Sequence, residues 1–328
     1  MTFEALVAII PVSVVIPTGD RPASLRRTLE SLLASSVVPD EFIVIDASPG
    51  DESEAVVRDV FAGRGDYPHV MLRKAAMVGA AAQRNQAVAL ARRDYILFCD
   101  DDIVVEPDCL ARLWQALQSG SGAGGVNAAI VNQTYVRPGW PVRMLLVSIG
   151  VFEHETYAGR IAGPAIQFLP RGGDNLPAVV PVQWLNTTCT LYRRAVLPDP
   201  PFDMHFTGYS LGEDVALSLR VGRHARLAHV PAARIVHDSQ PGAHKADAVA
   251  LSRMALVNRH YIMTQVLGRN RWRDHLALLW WEFWQLVMAA VHRRGGVAVR
   301  SILRGQCLGL ADIVRASAAR TLRGGRSP

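Results

Sequence analysis

Short apolar runs rich in β-branched residues alternate with helical segments through the first third of the chain, and this alternation constrains the fold most. Val12–Pro17 (VSVVIP), Phe42–Asp46 (FIVID) and Tyr95–Cys99 (YILFC) have the continuous hydrophobicity of strands that are buried on both faces. Leucines at helical spacing predict a helix over Arg21–Ala34, and an alanine-rich segment predicts another over Ala80–Arg92. This alternation predicts an α/β fold with a Rossmann-like, mostly parallel sheet flanked by helices.

The rest of the chain repeats the pattern less regularly. Further predicted elements are a helix over Ser53–Phe61, a strand over Val70–Arg73, a helix over Pro107–Leu117, a strand over Trp184–Tyr192, a helix within Gly208–Val221 and a strand over Ala228–Val236 that ends at His237. Glycines and prolines between Gly120 and Pro181 predict a loop-rich connection with edge strands. The GSGAGG stretch at Gly120–Gly125 follows a predicted helix instead of a strand, so it is predicted to be a loop.

Carboxylates follow the predicted strands at the edge where a parallel sheet binds ligands. Asp46 ends the second strand, and Asp100, Asp101 and Asp102 come directly after YILFC. Three adjacent carboxylates repel one another, which is unfavourable without a cation. An Asp-x-Asp pair offers hard oxygens to Mn²⁺ or Mg²⁺, which usually complete their coordination with phosphates and water. The alternative interpretation is a solvated acidic turn before the next helix.

The acidic triad is one of a series of segments whose order and spacing together are specific. In chain order they are VSVVIPT (Val12–Thr18), IVIDAS (Ile43–Ser48), AAQRNQA (Ala81–Ala87), ILFCDDDI (Ile96–Ile103), RRAVL (Arg193–Leu197), FD (Phe202–Asp203), LGEDVALSLR (Leu211–Arg220) and a strand ending in His237. In this order the segments resemble the inverting family 2 glycosyltransferases, which have a GT-A fold. The resemblance implies a catalytic domain over residues 1–262 and leaves residues 263–328 as a basic amphipathic helical tail.

The resemblance also implies a nucleotide-diphospho-sugar donor, UDP- or dTDP-linked, and a divalent cation, Mn²⁺ or Mg²⁺. The donor-binding residues that it implies are Thr18, Asp46, Arg84, Asp100 and Asp101. The metal ligands that it implies are Asp102, Asp100 and His237. A metal that stabilises the departing diphosphate removes the need for a general acid.

Glu213 and Asp214 form a second acidic pair, for which the resemblance implies a catalytic role. Direct displacement at an anomeric carbon needs a carboxylate that accepts the proton of the acceptor hydroxyl. Asp214 is expected in that role, with Glu213 near the acceptor. The alternative is an acidic first helical turn, which the helix dipole favours. Trp184 is expected on the acceptor side or in the core, and Arg259 is a further candidate for contact with the diphosphate.

Basic residues are concentrated at the C-terminal end. The chain carries a net charge of +6, yet from Arg269 onward eleven arginines face three acidic residues. Leu276–Val291 (LALLWWEFWQLVMAAV) is amphipathic, aromatic and flanked by arginines, and Val297–Val314 is a second amphipathic stretch. This pattern is typical of helices in a lipid headgroup layer and predicts an anionic membrane surface as partner. Packing on the catalytic domain or on a partner subunit is the alternative, and no nucleic-acid partner is expected because no binding motif accompanies the arginines.

Several features predict where the protein works. Its four cysteines lie far apart without a CxxC pair, which indicates reduced thiols in a cytosolic protein. Met1–Val15 is apolar but lacks the basic start and cleavage site of a signal peptide, and no apolar run reaches the roughly 18–20 residues of a spanning helix. We therefore expect a cytoplasmic protein that is peripheral on the inner face of the cell membrane.

Together these features predict a metal-dependent inverting glycosyltransferase that moves a hexosyl or deoxyhexosyl group. We expect a glycan or lipid-linked acceptor and a role in envelope or cell-surface polysaccharide synthesis. One alternative is a metal-dependent nucleotidyltransferase on a similar sheet, which would use the acids to attack an α-phosphate. Another is a non-catalytic protein that binds the membrane surface. The two intact acidic pairs disfavour the non-catalytic alternative, and the released product, a nucleoside diphosphate or pyrophosphate, distinguishes the other two.

Overall fold

The structure is a computed structural model that describes residues 8–64, 68–120, 122–173, 175–239, 247–291 and 295–324. The described residues form two compact units. Unit 1 contains residues 8–136, 157–160 and 168–239, and unit 2 contains residues 137–156, 161–167 and 247–324. The division after residue 239 differs from the predicted boundary at residue 262, because the helix that begins at Ala248 packs with the C-terminal helices.

The elements agree closely with the sequence pattern in the first hundred residues. The strands are β1 Ala8–Thr18, β2 Val37–Asp46, β3 His69–Lys74, β4 Tyr95–Cys99, β5 Ile103–Val105, β6 Ala123–Ile130, β7 Ile161–Ala162, β8 Ile166–Gln167, β9 Val180–Val182, β10 Cys189–Arg193 and β11 Arg226–His237. The helices are α1 Pro22–Leu33, α2 Glu52–Val60, α3 Ala80–Leu90, α4 Cys109–Gln118, α5 Trp140–Ser148, α6 Glu213–Val221, α7 Ala248–Tyr261, α8 Trp272–Val291 and α9 Gly295–Gly324. The predicted strand over Trp184–Tyr192 is shorter and later than expected, and α5 was not predicted.

Unit 1 is built on a nine-stranded sheet in the order β3-β2-β1-β4-β10-β6-β11-β5, with β9 paired to β11. The run β3-β2-β1-β4 is parallel, as predicted, whereas β10 runs antiparallel to both of its neighbours. Apolar side chains of β1, β2, β4 and α1 fill the core. The predicted α/β class with a central sheet flanked by helices is therefore confirmed, and parallel pairing brings the carboxyl ends of β1, β2 and β4 to one edge.

β6 corrects the prediction of a loop over Gly120–Gly125, because Gly124 and Gly125 lie inside this fully buried strand. A Cβ atom on Gly125 would lie 2.5 Å from the ring of Tyr192, and one on Gly124 would lie 2.7 Å from the Cβ of Ala225. Close approach of neighbouring elements therefore requires glycine here. The glycines that suggested a loop are a packing requirement of a central strand.

Unit 2 is held by close packing of α7 against α9, where a Cβ atom on Gly305 would lie 2.4 Å from the backbone oxygen of Val249. Glu282 of α8 is buried, pairs with Arg259 and accepts a hydrogen bond of 3.0 Å from Gln306 Nε2. Arg259 is thus paired with Glu282, and its expected contact with a diphosphate stays a prediction. Within the described ranges, no helix combines the length and the apolar character needed to cross a bilayer.

Candidate functional site

The candidate site lies at the carboxyl edge of β1, β2 and β4 in unit 1. Gln83, on α3, ties the first two strand ends together, since its Nε2 donates to the backbone oxygens of Thr18 at 2.9 Å and Ile45 at 2.8 Å. Asp100 follows β4, and its backbone N–H donates to Thr188 O at 3.0 Å. Three strand ends are thereby held in register, which supplies the rigid support that a binding site requires.

Asp46 is fully buried at the end of β2. It accepts hydrogen bonds from the backbone N–H of Ser48 at 2.9 Å and the hydroxyl of Ser48 at 2.5 Å, and Lys74 Nζ lies at 2.9 Å. Burial raises the pKa of Asp46, but the bonds from Ser48 and the charge of Lys74 outweigh it and hold the pKa below its ordinary value. Asp46 is therefore an ionised carboxylate whose partners come from its own chain.

Asp101 points into the protein, unlike the donor-facing orientation expected from the resemblance. It is 0% exposed and accepts a hydrogen bond of 2.6 Å from the hydroxyl of Thr18. Arg21 Nη2 lies 2.6 Å from Asp101 Oδ1, an ion pair whose angles are not those of a hydrogen bond. Burial raises the pKa of Asp101 to about 7 in spite of these partners. Asp101 and Thr18 thus connect the ends of β4 and β1.

Asp100, Asp102 and His237 bring one ligand atom each to within 4.8 Å of one another, as the predicted metal site requires. His237 reaches this position because β11 pairs with β5 in a register that sets His237 opposite Ile103. The His237 Nε2 atom lies 3.1 Å from Asp102 Oδ1. Two carboxylates and one imidazole suit Mn²⁺ or Mg²⁺ and leave coordination positions for phosphate oxygens and water. The residues present therefore fit the expected ion.

Two amides that were not predicted position the imidazole of His237. Asn132 donates from Nδ2 to the backbone oxygen of His237 at 2.8 Å and accepts from its backbone N–H at 3.1 Å. Gln133 Nε2 lies 3.2 Å from His237 Nδ1. Partners on the second ring nitrogen orient a metal-binding histidine and set its tautomer. These contacts join residues about a hundred positions apart, so sequence spacing could not reveal them.

Arg84 links the two acidic pairs, and its expected contact with the nucleotide stays a prediction. Its side chain is 5% exposed, its Nη2 lies 2.6 Å from Asp100 Oδ1, and its Nη1 contacts Glu213. The guanidinium also lies over the ring of Phe202, 5.6 Å from the centroid. A buried cation of this kind compensates the charge of two carboxylates. Arg84 therefore holds Glu213 beside the triad.

Glu213 and Asp214 begin α6 directly after a turn in which Ser210 and Gly212 have positive φ angles of 57° and 86°. Burial raises the pKa of Asp214 to about 6 and that of Glu213 to about 8, with Arg84 acting in the opposite direction on both groups. The charge of Asp100 contributes to both increases. A carboxylate with a pKa near 6 accepts protons more readily than an ordinary aspartate and remains ionised at neutral pH.

Trp184 lies in the core of unit 1, where its indole N–H donates to Phe168 O at 2.9 Å. Asn186, two residues further on, instead lines a cavity of about 240 Å³ beside the end of β6 and the middle of β11. Gln133, His229 and Arg234 also line this cavity, so it adjoins the metal cluster through Gln133. The Asn186 Oδ1 atom is buried without a hydrogen-bond partner among the described residues. The cavity thus combines apolar walls with a few polar side chains, and Trp184 packs in the core instead of lining it.

Comparison with known proteins supports the resemblance found in the sequence. Residues 13–169 match the family model described as glycosyl transferase family 2. An uncharacterized glycosyltransferase, YibD of Escherichia coli, is 32% identical over 95 residues, which are 29% of this chain and 27% of YibD. An uncharacterized glycosyltransferase of Haemophilus influenzae is 26% identical over 106 residues, 32% of this chain and 34% of that protein. The chain thus aligns with only 27% and 34% of the length of these relatives.

Solved structures share the fold. The mannosyltransferase PcManGT of Pyrobaculum calidifontis, in complex with GDP-Man and Mn²⁺, has a TM-score of 0.53 at 15% identity and covers 95% of this chain and 80% of its own. TarS of S. aureus, in complex with UDP-GlcNAc, has a TM-score of 0.50 at 15% identity and covers 78% of this chain and 67% of its own. At these identities the likeness shows the fold, which is that of GT-A glycosyltransferases.

Proposed function

We propose that this chain, whose residues 13–169 match the glycosyl transferase family 2 model, moves a sugar from a nucleotide-diphospho-sugar to an acceptor hydroxyl with inversion at the anomeric carbon. The observation that carries this proposal is the cluster of Asp100, Asp102 and His237 at the carboxyl edge of the sheet. Asp214 lies close enough to Asp100 for the charge of Asp100 to raise the pKa of Asp214. A family 2 domain on a GT-A fold with such a cluster supports a metal-dependent transferase.

In this proposal, Asp100, Asp102 and His237 hold Mn²⁺ or Mg²⁺ by two carboxylate oxygens and one imidazole nitrogen. A bound divalent ion would stabilise the negative charge that develops on the departing diphosphate. The edge formed by Thr18 and Asp46 would lie beside the nucleotide. UDP- and dTDP-sugars are the donors that we propose, and GDP-sugars are a necessary comparison because PcManGT binds GDP-Man.

Asp214 is the proposed general base. Its carboxylate would take the proton of the acceptor hydroxyl while the hydroxyl oxygen forms a bond to the anomeric carbon and the bond to the diphosphate oxygen breaks on the opposite face. The raised pKa of about 6 suits this task, because the group is ionised at neutral pH yet more basic than a solvated aspartate. Glu213, held by Arg84, would lie on the acceptor side and fix the start of α6.

The cavity lined by Gln133, Asn186, His229 and Arg234 is the proposed acceptor site. Its hydrogen-bonding groups and one arginine suit a hydroxyl-rich molecule, and it adjoins the metal cluster through the contact of Gln133 with His237. Burial lowers the pKa of His229 to about 4, so this imidazole is neutral at physiological pH and can donate or accept. A glycan, free or lipid-linked, fits this chemistry.

Unit 2 presents the surface through which the protein would bind the inner face of the cell membrane. Exposed apolar side chains recur at helical spacing on α5 and α8, which the hydrogen bond from Trp280 Nε1 to Ser148 Oγ (3.0 Å) joins. They are Trp140, Met144, Val147, Trp272, Leu276, Leu279, Trp280 and Phe283. Exposed aromatic residues with nearby arginines are typical of a surface that enters the headgroup layer. An envelope glycan built on a lipid-linked acceptor is the proposed product.

A thermal-shift panel tests the proposed donor. Binding to the native state raises the melting temperature, so a recognised nucleotide sugar stabilises the protein in a concentration-dependent way. We expect a UDP- or dTDP-sugar with Mn²⁺ to raise the melting temperature of the wild-type protein but not of Asp102→Asn. Absence of a shift with UDP-, dTDP- and GDP-sugars, each with Mn²⁺, would contradict the proposal.

A further inference from the structure

Arg21 contacts the acidic triad, although its place in the sequence does not single it out. It follows the turn that ends β1 and directly precedes α1. In this turn Asp20 has a positive φ of 55°, and its backbone N–H donates to the hydroxyl of Ser48 at 2.7 Å. Left-handed φ angles are uncommon for residues other than glycine and often occur at functional sites. The turn directs the side chain of Arg21 towards the end of β4.

The guanidinium of Arg21 spans two carboxylates of the triad. Its Nη2 lies 2.6 Å from Asp101 Oδ1, and its Nη1 donates to Asp102 Oδ2 at 2.9 Å. The other oxygen of Asp102 lies 3.1 Å from His237 Nε2. Both carboxylate oxygens of Asp102 therefore already have a partner from this chain, and a cation that binds Asp102 must compete with at least one of them.

Arg21 and Arg84 both contact the triad, but their surroundings differ. Arg84 is 5% exposed and is enclosed between Asp100 and Glu213, whereas the side chain of Arg21 is 33% exposed. The planar guanidinium carries five N–H donors, of which the two carboxylates use few, and it matches phosphate oxygens as well as it matches carboxylates. Arg21 can therefore exchange one anionic partner for another without crossing the protein interior.

A divalent cation and a guanidinium repel each other when both approach the same carboxylate. Binding of an ion to Asp102 Oδ2 would therefore displace Arg21 Nη1 from that oxygen. A diphosphate held by the same ion would bring phosphate oxygens to this edge, and an arginine binds such oxygens through charge-assisted hydrogen bonds. The loss of one contact of Arg21 would thus be compensated by the gain of another.

We propose that Arg21 is a further donor-binding residue, which moves from the carboxylate of Asp102 to the diphosphate of the nucleotide when the divalent ion binds. The inference rests on the proposed function, since it requires a nucleoside diphosphate and a metal. The nucleotide draws Arg21 away from Asp102 and so frees the carboxylate for the ion, while the ion occupies Asp102 and so frees Arg21 for the diphosphate. The two ligands therefore bind cooperatively, and linkage makes the coupling equal in both directions.

Binding of Mn²⁺, measured by the electron paramagnetic resonance signal of the free ion, tests the inference with and without UDP, dTDP or GDP. We expect the wild-type protein to bind Mn²⁺ about 5-fold more tightly or better when its nucleotide is present. In Arg21→Gln the competitor is absent, so Mn²⁺ alone should bind about 5-fold more tightly than to the wild type. The nucleotide with Mn²⁺ should bind that variant about 10- to 100-fold more weakly, because a charge-assisted hydrogen bond is lost.

Arg26→Gln is the matched control, because Arg26 lies on α1, the helix that Arg21 directly precedes, its substitution changes the charge equally, and it pairs with Asp59 instead of the triad. Equal Mn²⁺ and nucleotide affinities in Arg21→Gln and Arg26→Gln would overturn the inference, as would weaker binding of Mn²⁺ alone in Arg21→Gln. A wild-type protein that binds neither Mn²⁺ nor any of the nucleotides would instead overturn the proposed function.

Arg21→Lys provides the answer if Arg21→Gln fails to fold. Lysine keeps the charge but loses the fork that spans Asp101 and Asp102. We expect this variant to bind the nucleotide less tightly than the wild type and to show a smaller coupling between Mn²⁺ and nucleotide. Wild-type affinity and coupling in Arg21→Lys would overturn the inference.

Discussion

Asp100, Asp101 and Asp102 are consecutive residues in three different environments. Asp100 is 23% exposed beside Arg84, Asp101 is enclosed by Thr18 and Arg21, and Asp102 lies between Arg21 and His237. The differences arise because the chain turns directly after β4, so successive side chains leave it in different directions. Asp100 and Asp102 are thereby brought to the proposed cation site, and Asp101 is left to stabilise the turn.

Asp102→Asn should abolish metal-supported turnover of the donor and leave the fold intact. The substitution removes a hard ligand and keeps the side-chain volume, while it relieves repulsion within the triad. Activity across a Mn²⁺ titration and the melting temperature are the measurements. Asp59→Asn, an exposed aspartate that pairs with Arg26, is the control and should behave like the wild type. Near-wild-type activity of Asp102→Asn at any Mn²⁺ concentration would show that the metal assignment is wrong.

Asp214→Asn should slow sugar transfer by roughly 10²- to 10⁴-fold, the usual contribution of a general base. Donor affinity should hardly change, because Asp214 is proposed to act on the acceptor hydroxyl. Single-turnover rates together with donor titrations separate the two effects. If donor binding weakens as much as the rate falls, Asp214 belongs to the nucleotide pocket instead.

The dependence of the transfer rate on pH is a second test of Asp214 as the general base. Burial raises the pKa of Asp214 to about 6, and only the ionised form accepts a proton. The rate of transfer should therefore be constant well above pH 6 and fall by roughly tenfold per pH unit below it. The inflection should be missing from the residual activity of Asp214→Asn. A wild-type rate that stays constant down to pH 4 would exclude Asp214 as the base.

At the scale of elements, the strands and helices whose pattern is local could be predicted from the sequence. β1, β2 and β4 are continuous apolar runs, and α1 has leucines at helical spacing, so their own residues determine them. β6 could not be predicted, because its glycines depend on the ring of Tyr192, which is distant in the sequence. Tertiary packing overrides local propensity in such a strand.

The candidate site likewise contains residues that could be predicted from the sequence and residues that could not. The acids that follow strands were predictable, since strand order alone brings Asp46 and Asp100 to one edge. The partners of the site residues were not predictable, because the contacts of Arg21 with Asp102, of Lys74 with Asp46 and of Gln133 with His237 depend on the folded register of the sheet. The burial that turns Asp101 inward and encloses Arg84 is likewise a property of packing, which composition and spacing do not carry.

Packing of α7 on α9 supplies a prediction about unit 2. Gly305→Ala would place a Cβ atom 2.4 Å from the backbone oxygen of Val249, so the helices must separate, at a cost of roughly 1–3 kcal/mol. Gly296→Ala, in the same helix, meets no atom within 4 Å and should be neutral or stabilising by up to about 1 kcal/mol. Urea unfolding of both variants is the measurement, and equal effects would contradict the close packing.

For the whole molecule, the exposed apolar residues of α5 and α8 predict association with anionic liposomes. Arginines near the surface attract anionic lipids by about 1 kcal/mol each, an effect that salt screens, whereas burial of Trp280 and Phe283 persists at high salt. We therefore expect the protein to float with anionic liposomes and to be released only partly by high salt. A double variant that carries both Trp280→Gln and Phe283→Gln should float much less than the wild type.

Val78→Gln is the control for flotation, because Val78 is an exposed apolar residue of unit 1. It should float like the wild type. Substitution is a better test than removal of the tail, since α7 packs against α9 and truncation would expose that contact. Unchanged flotation of the Trp280→Gln, Phe283→Gln variant would mean that this surface does not enter the membrane.

Analysis of the released nucleotide tests the central claim, the assignment of Asp100, Asp102 and His237 to a metal-dependent sugar transferase, most directly. The wild-type protein and Asp102→Asn are incubated with UDP-, dTDP- and GDP-sugars and Mn²⁺, with water taking the place of the acceptor hydroxyl, and the products are separated by anion-exchange chromatography. We predict that the wild type releases a nucleoside diphosphate from one of these donors, that removal of Mn²⁺ with a chelator stops the release, and that Asp102→Asn releases none. Release of nucleoside diphosphate that persists without metal, or at wild-type rate in Asp102→Asn, would contradict the account. A parallel incubation with a nucleoside triphosphate, a sugar phosphate and Mn²⁺ tests the nucleotidyltransferase alternative, and release of pyrophosphate there, with no nucleoside diphosphate from the nucleotide sugars, would also contradict the account.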